Sequence, residues 1–162
     1  MNKITICSYD ELFLPVKKSS WDVCWDLKIA EDLFIESNKL KTIWTWIKIS
    51  LPIWWQAKVH ARSSLPVKNW LMQANSVAIF DANYRWEYII QYYNFTDNKI
   101  EFEKWTRLSQ MEFQPYYVWS WQYGTSDIPD LEFIVDKNIY DNFSEIYSSD
   151  RWEWKFWSTW TI

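Results

Sequence analysis

The chain has 162 residues, about one domain's worth, with a formal net charge of −4 and a pI near 5.0. That balance leaves no basic face of the size a nucleic-acid polymer or an anionic membrane requires, while two cysteines that form no Cys-x-x-Cys pair (Cys7 and Cys24) and one histidine, His60, exclude zinc fingers, histidine metal centres and Ser-His-Asp catalysis. Lys48 interrupts the longest apolar run, far short of the ~18 residues of a membrane span, and Asp10 and Glu11 arrive before a signal-like core can form, so a cytoplasmic location is expected.

Along the chain, apolar residues recur mainly with period two. Strands are predicted at 47–51, 56–61, 77–80, 87–95, 107–113 and 131–135, short and frequent enough for an all-β sandwich or barrel. Residues 120–129 are polar and interrupted and read as a loop. Ile139, Tyr140, Phe143, Ile146 and Tyr147 form a helical stripe between Asp136 and Ser149, and one short helix is predicted there. No function attaches to residues 115–149.

Two counts are abnormal. There are 15 tryptophans and one glycine, Gly124, where an ordinary share of ~7% glycine implies about eleven. A β fold needs tight turns, and tight turns need residues that tolerate positive φ. Here tryptophans stand where turns belong: after Asn69, between Arg85 and Glu87, and between Lys104 and Thr106. The C-terminus, from Arg151 to Thr161, carries four indoles among polar neighbours. With glycine at those four places it becomes a phosphate-cradling loop in physical type, with bare amides, hydroxyls and two cations.

Under that exchange the chain resembles the trimeric dUTPase (dUTP diphosphatase) family, whose five motifs follow in order from Asp26 to Thr161. The first is Cys24-Trp25-Asp26-Leu27, with Cys24 where glycine is usual. Thr45-Trp46-Ile47 and Pro52-Ile53-Trp54-Trp55 lead to the second, Arg62-Ser63-Ser64-Leu65-Pro66-Val67-Lys68-Asn69-Trp70, with Ala61 in place of a proline. The third is Ala78-Ile79-Phe80-Asp81-Ala82-Asn83-Tyr84-Arg85-Trp86-Glu87, where Ala78 and Phe80 depart from the pattern. The fourth is Lys104-Trp105-Thr106-Arg107-Leu108-Ser109-Gln110, and the C-terminal segment is the fifth. Trp46, Trp54, Trp70, Trp86, Trp105, Trp152, Trp154, Trp157 and Trp160 stand at family glycine positions. A gene that spells glycine as UGA, read with UGA as tryptophan, accounts for both counts: with Trp55 alone retained, glycine rises to roughly 9%. UGG codons at 152, 154, 157 and 160 would rule this out.

The resemblance implies a jelly-roll-like β-barrel over residues 1–149, a C-terminal arm over 150–162 that closes on a neighbour's site, a homotrimer, and Mg-dependent hydrolysis of dUTP to dUMP and diphosphate. It implies Asp81 as the base that activates water, Gln110 near the phosphates, and Arg62, Ser63 and Ser64 as phosphate contacts. Asn75 would belong to the uracil hairpin, with main-chain groups of 78–81, and Tyr84 would lie beneath the deoxyribose. Arg151, Ser158 and Thr159 would reach the γ-phosphate, Phe156 would cover the uracil, and Asp26 would hold Mg²⁺ through water, a role that needs few protein ligands. As written, with indoles in the arm, the chain is expected to be inactive. A dCTP deaminase on a related framework remains open, as does an aromatic-rich sandwich that stacks sugars without catalysis. The sandwich requires the exposed indoles on one face, whereas the diphosphatase scatters them at turns and in the C-terminal arm.

Overall fold

A computed structural model describes residues 3–115 and 129–148. Within them the strands are β1 (Lys3–Ser8), β2 (Trp25–Lys28), β3 (Leu33–Ile35), β4 (Leu40–Ser50), β5 (Trp55–Ala61), β6 (Leu71–Gln73), β7 (Val77–Phe80), β8 (Glu87–Asn94), β9 (Ile100–Phe102), β10 (Arg107–Pro115) and β11 (Asp130–Val135). They form a five-stranded sheet in the order β11-β1-β4-β8-β6, a four-stranded sheet β2-β10-β5-β7 and a β3-β9 pair. The apolar side chains of both large sheets meet in one core, including Ile6, Ile49, Val59, Tyr88, Tyr92 and Met111. This is the expected all-β, jelly-roll-like fold.

The period-two reading succeeds where one strand face is wet. In β8, Tyr88, Ile90, Tyr92 and Asn94 point inward and alternate with partly exposed residues. It misses β1, because that strand is buried on both faces: Ile4 and Ile6 enter the main core, while Cys7 enters a second cluster with Tyr140 and Phe143. β4 begins seven residues earlier than predicted: Ile43, Thr45, Ile47 and Ile49 all turn inward, but a polar threonine at an inward position and tryptophans at the outward positions 44 and 46 hide the alternation. β2, β3, β6 and β9 are too short to show a period.

The expectation of one helix is corrected. Three short helices occur among the described residues: α1 (Ser64–Asn69), α2 (Lys137–Asp141) and α3 (Phe143–Ile146), besides a 3₁₀ turn at Glu11–Phe13. α1 tolerates Pro66 because proline in a first turn removes no needed donor. The predicted stripe breaks at Asn142, whose φ of −99° and ψ of 17° interrupt the helix. The predicted loop, save Pro129, lies outside the described residues. No described helix is long and apolar enough to cross a membrane.

Six described residues other than glycine have positive φ, and four are tryptophans: Trp46 at 54°, Trp54 at 74°, Trp70 at 51° and Trp105 at 69°. All four are motif tryptophans, and distinct backbone devices demand them. Trp46 lies in the β4 irregularity, where a bulge takes a left-handed residue. Trp54 is the third residue of a turn closed by the Trp55 N–H on the Pro52 carbonyl (3.1 Å), and Trp105 the third of one closed by Thr106 on Glu103 (3.1 Å); positive φ there defines the turn type that favours glycine. Trp70 is the left-handed C-cap of α1, the usual seat of glycine. Trp86 is not among them. Trp55 packs against the core. The exposed indoles Trp21, Trp44, Trp70 and Trp105 belong to a loop, a strand, a helix cap and a turn. Trp21, Trp70 and Trp105 thus stand at turns or a cap, where the glycine reading expects them, while Trp44 lies within β4.

Candidate active site

Register brings the first group of expected residues together. Asp26 on β2 pairs with Gln110 on β10, and Gln110 pairs with His60 on β5. Arg62 follows β5 at once, its amide donating to the Leu108 carbonyl (3.0 Å), so the chain turns into α1 carrying Ser63 and Ser64. Ser63 occupies the N-cap without its hydroxyl closing the cap. Asp26, Arg62, Ser63, Ser64 and Gln110 thereby line one cleft of about 620 Å³.

Three cations, Lys18, Arg62 and Arg107, and two carboxylates, Asp22 and Asp26, line the cleft. Arg62 Nε lies 3.1 Å from Asp26 Oδ1 and Arg107 Nη1 lies 3.0 Å from Oδ2, while Arg62 Nη1 donates to the Arg107 carbonyl (3.2 Å). The Asp26 side chain is 15% exposed. Lys18 and Arg107 also line the cleft although sequence reasoning did not select them; Arg107 sits inside the fourth motif and its charge was the available signal. Burial pushes the Cys24 thiol at the cleft wall up, and Glu112 adds to it, so this thiol is no ready nucleophile. Burial, with Arg107 nearby, holds the Lys28 ammonium down.

A second group gathers at β7. This strand is the edge of its sheet, so alternate backbone groups of 77–80 face away from β5. Asn75 stands in the turn before it: Gln73 Nε2 donates to Asn75 Oδ1 (3.1 Å) and to the Val59 carbonyl (2.9 Å). Gln73, buried at 2% exposure, was missed, since a glutamine on a three-residue strand carries no sequence signal. After β7, the Tyr84 amide donates to the Asp81 carbonyl (3.0 Å) and closes a turn. The Tyr84 ring packs edge-on against Phe80 and Tyr88, and its hydroxyl donates to the Glu87 carbonyl (3.0 Å).

The structure does not bring these groups together within one chain. Ala57 pairs with Phe80 and His60 with Val77, so Asp81 lies beyond the opposite end of β5 from Arg62. At ~3.3 Å per residue that separation is on the order of 20 Å. Arg151, Phe156, Ser158 and Thr159 lie outside the described residues.

As to a metal, no group of three or more His, Cys, Asp or Glu suited to an ion occurs among the described residues. Asp26, in a cleft of about 620 Å³ lined by three cations, fits Mg²⁺ carried in by a triphosphate, since Mg²⁺ keeps several waters and takes only one or two carboxylates besides phosphate oxygens.

The dUTPase family model matches residues 10–131. Deoxyuridine 5'-triphosphate nucleotidohydrolase of Rickettsia bellii is 29% identical over 126 residues, covering 75% of this chain and 84% of the relative. The Rickettsia felis protein of the same name is 31% identical over 115 residues, covering 70% and 78%. The crystal structure of dUTPase from Streptococcus mutans superposes with a TM-score of 0.66 at 27% identity, over 70% of this chain and 93% of that one. A point mutant of the dUTPase from phage phi11 of S. aureus, described with a coordinated structural Mg(II) ion, shares the fold at a TM-score of 0.67 and 16% identity, over 78% and 98%. The family match over most of the chain and the shared β fold agree: the chain belongs to the dUTPase family.

Proposed function

We propose that this chain, with glycine at the family's glycine positions, hydrolyses dUTP to dUMP and diphosphate at a site shared between copies of itself. The observation that carries this is the cleft, where cationic, hydroxyl and amide side chains of residues 62–64 and 107–110 converge around Asp26 of β2, a set suited to holding phosphates. Asp81 removes a proton from a water that attacks the α-phosphorus; the new O–P bond forms as the bond from the α-phosphorus to the bridging oxygen breaks, and diphosphate leaves. Arg62, Arg107, Ser63 and Ser64 neutralise and hold the phosphates, with Gln110 beside them. Mg²⁺, when bound with the nucleotide near Asp26, supplies further charge neutralisation. The outward backbone groups of β7, with Asn75, pair with the uracil, and the fixed Tyr84 ring leaves no room for a ribose 2′-hydroxyl.

The distance between Asp81 and Arg62 along β5 supports a shared site, since one phosphorus cannot meet both within a single chain. The expected assembly is a homotrimer in which the arm, with Arg151, Phe156, Ser158 and Thr159, closes over a neighbour. Supplying dUTP, UTP and dCTP in turn tests the reaction. Diphosphate and dUMP are expected from dUTP and little from UTP; ammonia from dCTP, or no diphosphate from dUTP, overturns it.

We infer also that the motif tryptophans are glycines in the protein its source makes, spelled UGA. Support comes from Trp46, Trp54, Trp70 and Trp105, all held at positive φ, where a residue with a Cβ costs about 1–3 kcal/mol. The codons test the point: UGA at these positions is expected, and UGG contradicts it.

A further inference from the structure

The helical segment after β11 has no role in the motif pattern, yet it is tied to the third motif from two sides. Asp136 caps α2 by accepting the Ile139 N–H (2.9 Å). Tyr140 and Phe143 then bury against Cys7 on the outer face of β1. From this seat two hydrogen-bonded links return to residues 82–87. In the first, Arg85, 8% exposed, donates from Nε to the Tyr147 carbonyl (2.7 Å) and from Nη1 to the carbonyls of Ala82 (2.6 Å) and Tyr84 (3.1 Å). One guanidinium thus joins the end of α3 to both flanks of Asn83, inside the turn that carries Asp81 and Tyr84.

In the second link, Glu87 Oε2 accepts the Tyr140 hydroxyl (2.7 Å), while Oε1 accepts the amides of Thr45 (3.0 Å) and Trp46 (2.7 Å) in the β4 bulge. Lys48 Nζ donates to the Tyr140 carbonyl (2.7 Å). Burying a guanidinium and a carboxylate is expensive unless their hydrogen bonds are well made, and burial holds Arg85 below its usual range and pushes Glu87 up. Backbone carbonyls cannot change rotamer, so Arg85 keeps its partners only while the turn and α3 hold their relative places.

We propose that α2–α3 is a brace for the 81–84 turn, with Arg85 and Tyr140 as positioning residues that set how Asp81 and Tyr84 face the nucleotide. This rests on the roles given to Asp81 and Tyr84 above. The test uses the full glycine-bearing chain with Arg85→Met, Arg85→Lys and Tyr140→Phe, reading kcat and KM for dUTP and hydrogen exchange of the amides of 82–84. Arg85→Met and Tyr140→Phe are expected to lower kcat about 10- to 100-fold, as small misplacements do, with KM moving less than about threefold. The Tyr84 amide should exchange faster while the centre of β8 stays protected. Arg85→Lys should recover part of the loss, since an ammonium reaches carbonyls without the planar fork. Unchanged kcat with unchanged exchange, or a kcat loss matched by the unfolded fraction, overturns the brace. Should Arg85→Met fail to fold, the other two variants decide. If the parent chain turns over no dUTP, the functional reading fails, and the exchange measurement still decides the brace.

Discussion

The two ends of the four-stranded sheet are built in opposite ways. At the Arg62 end, charged side chains from β2, β10 and the β5–α1 junction meet in an open cleft, held by ion pairs that a polyanion could replace. At the Asp81 end, the turn is fixed by hydrogen bonds to backbone carbonyls and by edge-on ring contacts, with the proposed helical brace behind it. The contrast suits a division of labour. Groups that bind phosphate exchange one ionic partner for another, whereas a base and a sugar-excluding ring work only from a fixed position.

The sharpest way to break that contrast is at Asp81. Asp81→Asn is expected to lower kcat for dUTP by roughly 10²–10⁴ while leaving affinity for a non-hydrolysable analogue nearly intact, as steady-state kinetics and calorimetry would show. At the other end, Asp26→Asn should raise the Mg²⁺ concentration for half-maximal activity by about 10- to 100-fold, with kcat at saturating metal little changed; a Mg²⁺ titration checks it. If both variants acted on kcat alone, the two ends would not differ in kind.

The contrast extends to backbone conformation. Trp70, 67% exposed at a left-handed helix cap, gives up little packing, so Trp70→Gly is expected to stabilise the fold by about 1–2 kcal/mol. Trp55 has core contacts and should lose stability on the same change. Denaturant unfolding of the two variants compares them directly.

The smallest expected effect is on pH dependence at the braced end. Burial raises the pKa of Glu87 above its ordinary 4.5, against hydrogen bonds from Tyr140, Trp46 and Thr45. The folded state therefore binds this proton more tightly than the unfolded one, and the contribution is present at low pH and lost as pH rises through the folded value. Glu87→Gln removes it. The stability of the parent relative to Glu87→Gln should accordingly grow as pH falls from 7.5 toward 5; thermal unfolding at several pH values measures this, and a constant difference would place the carboxylate in a solvated setting.

How much of this was legible in the sequence follows from physical scale. β5, β7 and β8 could be read because each alternates between a dry and a wet face. β1 could not, because one face enters the main core while the other is covered by helices more than a hundred residues away. The cleft residues were legible through motif order, and the turn positions through their missing glycines. Gln73 was not, nor were the bonds that Arg85 and Glu87 make, because partners are chosen by tertiary packing: Val59, Tyr147 and Tyr140 are neighbours in space alone.

The most direct measurement sets the glycine-bearing chain beside the chain with all its indoles and follows diphosphate release from dUTP. The glycine form is expected to turn over dUTP with Mg²⁺ while the indole form stays near background, since in the proposed arm indoles at 152, 154, 157 and 160 would deny the phosphates access to bare amides. Equal turnover by the two forms would contradict the account.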